Sequence, residues 1–150
     1  MSLVNKLAEV DRPIVIKDVV ALIDSEVASK TGLMGMALKG GYKVVKKLKS
    51  GRMIAFAVDK LLDDFTASLA DLYDEFLDSD ASGFDTFLAQ HQDVASDALL
   101  AITDDKAERA DSKVIKKTYS KLRKSAKGHV VAALPGLGRV IEKHCPRDDD

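Results

Sequence analysis

The chain has 150 residues, 46% of them hydrophobic, and its 23 basic and 24 acidic side chains leave a formal net charge of −1. This composition is that of one ordinary globular domain. The single cysteine, Cys145, cannot form an internal disulfide, and no apolar run reaches the ~20 residues that a membrane-spanning helix needs. We therefore expect a cytoplasmic protein with neither a secretory signal peptide nor a transmembrane segment.

The distribution of proline predicts an all-helical chain. Pro13, Pro135 and Pro146 lie near the two ends, which leaves residues 14–134 free of the strongest helix breaker. Apolar residues recur at steps of three and four instead of alternating, as amphipathic helices require. The prediction is a single all-α helical bundle of about five to seven helices over residues 1–150.

Two helices are predicted in the first third of the chain, after a short lead-in at 1–10. The first begins at Asp11, a good N-cap residue, and runs to about Ser29. Thr31 is placed to cap a second helix over residues 32–49, and the Ser-Gly pair that follows favours its end.

The third predicted helix has the clearest periodicity in the chain. Two apolar series repeat every seven residues and form one stripe from about Ile54 to Leu77: Val58, Phe65 and Leu72, and Leu62, Leu69 and Phe76. This stripe predicts the hydrophobic centre of the bundle. The acidic pair Asp63-Asp64 falls within it, so residues 51–77 form either one helix or two.

Shorter helices and one more long helix are predicted in the second half. The segment 78–83 has turn composition, and Ser82 is placed to cap a short helix, which a second one follows over about 94–102. The last long helix begins before Ile115, and Leu134-Pro135-Gly136 is expected to break it before a final helical turn. Residues 146–150 are predicted to form a frayed acidic tail.

Charge is balanced overall but segregated along the chain. Residues 39–62 carry seven basic groups and one acidic group, and residues 112–147 carry ten and one. Between them, residues 63–111 carry two basic and fourteen acidic groups. Such blocks either face each other on packed helices or steer association with partners and with copies of the same chain.

Four stretches of the sequence resemble a small bacterial family of all-helical proteins of unknown function. They are Asp11-Arg12-Pro13, VALIDSEVASKTGL at 20–33, GYKVVK at 41–46 and AALPGLG at 132–138. Similar sequences have proline where this chain has Ser50 and Asp63, which weakens the prediction of helix breaks there. The resemblance implies the helical fold and implies no activity, cofactor or catalytic residue.

The second helix is the most informative candidate surface. On a helical wheel its lysines occupy one side, and an apolar stripe occupies the other: Leu33, Met36, Ala37, Gly40, Gly41, Val44 and Leu48. Such a helix either packs in the bundle with a solvated lysine face or lies on an anionic membrane. Gly35, Gly40 and Gly41 favour close approach to another helix over deep insertion into lipid.

Two basic faces are the candidate partner-binding sites. They comprise lysines of the second helix and of the last long helix: Lys39, Lys43, Lys46 and Lys47, and Lys113, Lys116, Lys117, Lys124 and Lys127. A near-neutral net charge, 5% aromatic residues and an acidic middle third argue against nucleic acid as the partner. The favoured partners are a protein, including a second copy of this chain, and an anionic membrane.

No catalytic, cofactor-binding or metal-binding residues are predicted. The segment 78–83 resembles the first half of a calcium loop, but Ala89 stands at the twelfth position, where a bidentate Glu is required. His144 and Cys145 are neighbours that point about 100° apart on a helix, which disfavours a nucleophilic pair. The acidic groups of the third helix lack the Glu-x-x-His spacing of helical di-metal sites: Asp63, Asp64, Asp71, Asp74 and Glu75.

These features together predict a non-enzymatic cytoplasmic module for protein–protein interaction or scaffolding. Peripheral binding to anionic membranes through residues 32–49 is the alternative. A buried apolar stripe on that helix would exclude membrane binding unless the helix detaches, and an exposed one would leave it open, whereas a large cavity lined by acidic groups and a histidine would favour an enzyme.

Overall fold

A computed structural model describes residues 2–147, which form an all-α bundle, as the sequence predicts. Within this range there are eight helical segments, six of them with seven residues or more. They are α1 (Leu3–Ala8), α2 (Arg12–Ser29), α3 (Gly32–Lys46), α4 (Leu48–Gly51), α5 (Met53–Leu77), α6 (Phe84–Gln90), α7 (Gln92–Arg109) and α8 (Lys113–His144).

The third predicted helix, α5, is a single helix and runs through the centre of the bundle. Its two apolar series face inward, and Leu69 and Phe76 are fully buried. Asp63 and Asp64 do not interrupt it, because both side chains are exposed and pair with basic groups of other helices. The alternative of two helices over residues 51–77 is therefore excluded.

The core centres on an aromatic cluster from α5 and α6. Tyr73, Phe76 and Phe84 are fully buried, and Phe87 packs beside them. The Tyr73 and Phe84 rings meet edge to face with their centroids 5.4 Å apart, an arrangement that the ring quadrupoles favour. The cluster is closed by apolar side chains from α1 and α8: Leu3, Leu134 and Ile141.

The predicted break at Leu134-Pro135-Gly136 is wrong, because α8 is continuous from Lys113 to His144. Pro135 removes one N–H from the helical ladder, and packing on both sides of it offsets that loss. At Gly138 a Cβ would lie 2.6 Å from the backbone of Asp85, so glycine allows α6 to approach α8 directly. This contact holds the segment beyond the proline in line.

The start of α6 is capped from α8 and not by Ser82, contrary to the prediction. Gly83 occupies the N-cap position, and Oε1 of Glu142 accepts a hydrogen bond from the Phe84 N–H at 2.6 Å. The carboxylate reaches this N–H because α8 continues past Pro135. The errors at Ser82 and at Pro135 therefore share one cause.

The end of α3 differs from the prediction by a few residues. α3 ends at Lys46, and the chain reverses direction within α4, where Lys49 and Ser50 have φ angles of 53° and 57° and Gly51 has 84°. These left-handed conformations separate α3 from α5 at the predicted Ser-Gly pair. Thr31 occupies its predicted N-cap position without making a side-chain capping bond.

The end of the described chain is tied to the core. Arg147 donates through Nη2 to the carbonyls of Phe76 and Ala81 at 3.2 and 2.8 Å, so the predicted fraying does not begin at residue 146. Residues 148–150 of the predicted tail lie outside the described residues. Cys145 is fully buried, and its burial raises the pKa of the thiol to about 11.

Opposite charges meet where α7 packs on α8. Asp104 accepts hydrogen bonds from Arg123 at 2.8 and 3.2 Å, and Nζ of Lys127 lies 3.1 Å from Asp97. Some of the oppositely charged segments therefore face each other on packed helices within the bundle. This is the first of the two alternatives that the sequence leaves open.

Candidate functional site

Most of the predicted apolar stripe of α3 faces solvent, whereas Gly41 and Leu48 are half-buried. Leu33 is 86% exposed, Met36 70% and Val44 50%, and Met34 beside them is 56% exposed. Contiguous exposed apolar side chains on one helix are typical of a surface that binds a partner or a membrane. α3 therefore does not bury Leu33, Met36 or Val44 in the bundle.

α3 packs on the bundle through its other side. Leu38 and Tyr42 face the interior, and Gly41 lies against α8. A Cβ at Gly41 would lie 2.9 Å from Cγ2 of Thr118, so glycine permits the close approach of the two helices. Gly40 has no neighbour within 4 Å, and close packing predicted for this position is wrong.

The four candidate lysines of this region are exposed beside the apolar stripe: Lys39, Lys43, Lys46 and Lys47. Lys46 also lies 3.3 Å from a carboxylate oxygen of Asp24 in α2, with 53% of its side chain exposed. Their positions leave the ammonium groups accessible to an external anion. α3 is thus a basic amphipathic helix whose apolar and basic parts are both accessible.

The candidate lysines of α8 divide into two groups. Thr118 and Leu122 face α3, whereas Tyr119 and Arg123 face α7. Lys127 lies on the α7 side, where it pairs with Asp93 and Asp97, and Lys116 lies beside Asp104 and Glu108 of α7. The remaining candidates are exposed on the outer surface of α8: Lys113, Lys117 and Lys124.

Two basic residues of α8 border its contact with α3. Lys117 and Lys121 are exposed and precede the α3-facing residues Thr118 and Leu122 by one position, which places them at the outer edge of the α3–α8 contact. We call α3 and this edge the basic apolar surface. It includes the α3 lysines, Lys117 and Lys121, and it excludes Lys127.

Beneath α3 lies a cavity of about 460 Å³. Its walls come chiefly from α2, α3, α5 and α8, and apolar side chains line nearly all of it, among them Val19, Ile23, Leu38, Val58, Leu62 and Ile141. Its volume falls within the range of ~300–1,000 Å³ that small-molecule sites occupy. His144 lines it, and none of the acidic side chains of the described residues does.

Three polar side chains of the cavity wall are bonded to carboxylates. The Tyr42 hydroxyl donates to Asp24, the Tyr119 hydroxyl donates to Asp104, and Nε2 of His144 lies 2.7 Å from Asp18. The bond from Tyr42 lowers the pKa of Asp24, and the bonds from Arg123 lower the pKa of Asp104. Both carboxylates are therefore ionised at neutral pH.

The remaining sequence candidates do not assemble into a chemical site. Within residues 2–147 no group of three His, Cys, Asp or Glu side chains is placed to hold a metal ion. In the calcium-loop-like segment, the Ser79 hydroxyl donates to the carbonyl of Phe76, as in an ordinary helix-ending turn. His144 pairs with Asp18, while the neighbouring Cys145 is buried in the core.

Comparison with known families assigns the whole helical region to one group. The model of a single protein family matches residues 3–145. The chain belongs to DUF6918, a family of unknown function. The resemblance to a helical family of unknown function is thereby confirmed, and the bacterial origin stays a prediction. No curated protein and no solved structure matches the chain significantly.

The match to DUF6918 includes every element of the basic apolar surface and of the cavity, because α1 to α8 all lie within residues 3–145. No helix of this DUF6918 protein, within the part that the structure describes, is long and apolar enough to cross a bilayer. The description of DUF6918 carries no activity.

Proposed function

We propose that this all-helical protein binds anionic membrane surfaces peripherally through α3. The observation that supports this function is the solvent-exposed apolar stripe from Leu33 to Val44 with four exposed lysines beside it. A helix that lies in a membrane interface uses both features. Its apolar side chains enter the boundary of the acyl chains, while its lysines stay near the lipid phosphates.

Charge makes the larger contribution to this binding mode. The exposed apolar side chains of α3 are Leu, Met and Val residues without a Trp or Phe among them, so their insertion is shallow. Each Lys near an anionic leaflet contributes about 1 kcal/mol, and this attraction decays within a Debye length. Binding should therefore require anionic lipid and weaken as the salt concentration rises.

The acidic groups of α7 lie across α8 from α3. α7 packs on the side of α8 that carries Tyr119 and Arg123, whereas α3 packs on the side that carries Thr118 and Leu122. Acidic groups of α7 pair with Arg123 and Lys127. The basic apolar surface is thus separated from these carboxylates by α8 itself.

The proposal is tested by flotation of the purified protein with vesicles, either of phosphatidylcholine alone or with added phosphatidylglycerol, at low and high salt. We expect flotation only with the anionic vesicles and less of it at high salt. The triple variant Lys39→Gln, Lys43→Gln, Lys47→Gln and the single variant Met36→Ser should each reduce the bound fraction. Val94→Ser is the matched control, because it removes a 61% exposed apolar side chain from α7.

Either of two results would overturn membrane binding through α3. One is the absence of flotation of the unchanged chain with anionic vesicles at low salt. The other is flotation that Met36→Ser and Val94→Ser reduce equally, since the binding would then not depend on α3.

A protein partner, including a second copy of this chain, is the second candidate. The same exposed stripe supports it, because a helix face with Leu33 86% exposed also fits an apolar groove of another protein. Self-association makes the molecular mass in solution depend on protein concentration, which light scattering measures. A mass that doubles with concentration in the unchanged chain, but not in Met36→Ser, would favour this candidate when no vesicle flotation occurs.

A further inference from the structure

The cavity beneath α3 is larger than close packing allows. Protein interiors seldom contain spaces much larger than a water molecule, whereas this one measures about 460 Å³. Its wall is apolar on α2 through Val19 and Ile23 and on α5 through Val58 and Leu62. A water molecule in such a space lacks the two to four polar partners that hold buried water in place. The space therefore fits an apolar ligand better than water.

The polar side chains of the wall restrict the charge of that ligand. Tyr42 and Tyr119 donate their hydroxyl hydrogens to Asp24 and Asp104, and His144 contacts Asp18. These groups are already bonded to carboxylates, and the hydroxyls of Thr66 and Thr103 in the wall donate to backbone carbonyls of their own helices. A charged head group inside the cavity would lose its hydration without gaining a partner. The interior thus accepts a hydrocarbon segment and disfavours an ionic group.

We propose that the cavity binds one hydrocarbon chain of a lipid-like molecule, with the polar head group of that molecule outside. This site is distinct from the proposed membrane-binding surface. Leu38 and Tyr42 line the cavity from the inner side of α3, whereas Leu33 and Met36 are exposed on its outer side. The chain belongs either to a free single-chain lipid or to a phospholipid, and both present the same hydrocarbon to the wall.

The first experiment titrates the full chain, without vesicles, with the neutral fluorescent probe N-phenyl-1-naphthylamine. We expect saturable fluorescence enhancement that straight-chain alcohols reverse. From hexanol to dodecanol, the displacing affinity should rise about fourfold per added methylene until the cavity is full, because each buried CH₂ adds a similar transfer free energy. If dodecanol displaces the probe and diheptanoylphosphatidylcholine does not, the bound hydrocarbon comes from a free single-chain lipid. If both displace the probe, phospholipids are also ligands.

Two phenylalanine substitutions on α5 localise the binding. Ala57→Phe places a ring in the cavity, and Ala55→Phe places the same ring at an exposed position two residues away. We expect Ala57→Phe to weaken probe binding at least tenfold and Ala55→Phe to leave it unchanged. Leu38→Phe fills the cavity from α3 and replaces Ala57→Phe if circular dichroism shows that the latter does not fold.

The proposal is overturned if the unchanged chain shows no saturable probe binding, or if the folded cavity variant binds as tightly as Ala55→Phe. Neither result depends on vesicles. Failure of this site would therefore leave the flotation result intact, and absence of flotation would leave the probe titration interpretable.

Discussion

The ammonium of Lys6 donates a hydrogen bond to the hydroxyl of Tyr73 inside the core, with Nζ and Oη 2.8 Å apart. The Tyr73 hydroxyl in turn donates to the carbonyl of Cys145 at 2.8 Å, and Lys6 donates to the carbonyl of Pro146 at 3.2 Å. A buried ammonium is tolerated when oxygen acceptors replace its hydration. This network joins α1 and the end of α8 to the central helix α5.

Tyr73→Phe should destabilise the fold without disturbing the aromatic packing. It removes the hydroxyl that accepts from Lys6 and donates to Cys145, so we expect the free energy of unfolding to fall by about 1–3 kcal/mol. Urea denaturation followed by circular dichroism measures the change. A Tyr73→Phe variant as stable as the unchanged chain would contradict a structural role for the network.

The cap on α6 provides a second prediction. Glu142 accepts from the Phe84 N–H, so Glu142→Ala should lower the free energy of unfolding by about 1 kcal/mol. Glu142→Gln should lose less stability, because the side-chain carbonyl of glutamine can still accept the hydrogen bond from the Phe84 N–H. Ser82→Ala should have no effect, and denaturation of the three variants under the same conditions compares them. The prediction is wrong if Ser82→Ala costs more than Glu142→Ala.

The sequence is sufficient to predict the elements whose faces depend on local spacing. The α5 stripe is predictable because helical periodicity alone places Leu69 and Phe76 on one side. The continuous course of α8 is not predictable in this way. A proline in the sequence indicates a local cost to the helix, but the packing of Gly138 on α6 that offsets this cost depends on the tertiary structure. Tertiary contacts determine whether the helix continues through Pro135, whereas the local sequence pattern determines the buried face of α5.

Only part of the candidate surface can be predicted from the sequence, for a related reason. A helical wheel separates the lysines of α3 from its apolar stripe, but it gives only their relative positions. Which side faces the bundle depends on α8, whose Thr118 meets Gly41. The cavity leaves no signal in the sequence, because Ile23 and Leu62 have the pattern of ordinary core residues and come from different helices.

Two glycines of α8 should respond in opposite directions to the same substitution. Gly138→Ala places a Cβ 2.6 Å from the backbone of Asp85, so we expect it to lower the free energy of unfolding by about 1–3 kcal/mol. Gly128→Ala meets no atom within 4 Å and gains the helix propensity of alanine, so it should stabilise by up to about 1 kcal/mol. Thermal denaturation of both variants checks the signs. Equal effects would show that α6 does not pack on α8 at Gly138.

Acid should destabilise the protein through its bonded carboxylates. The hydroxyl of Tyr42 lowers the pKa of Asp24, and Arg123 lowers the pKa of Asp104, both below the ordinary value of 3.8. Each carboxylate binds a proton less tightly in the folded state than in the unfolded state. Its contribution to stability is therefore present above the ordinary pKa and is lost as the pH falls through the lowered one. We expect the contribution of these carboxylates to the urea midpoint to be constant from about pH 7 to 5 and to fall below about pH 4.

Asp104→Asn isolates one part of this pH dependence. The variant lacks a carboxylate that ionises differently in the folded and unfolded states, so its stability should fall less steeply below about pH 4 than that of the unchanged chain. Urea denaturation in steps of half a pH unit measures both slopes. Asp71→Asn, at an exposed position of α5, is the matched control and should keep the steeper slope. If Asp104→Asn also keeps the slope of the unchanged chain, the bond between Asp104 and Arg123 does not link protonation to folding.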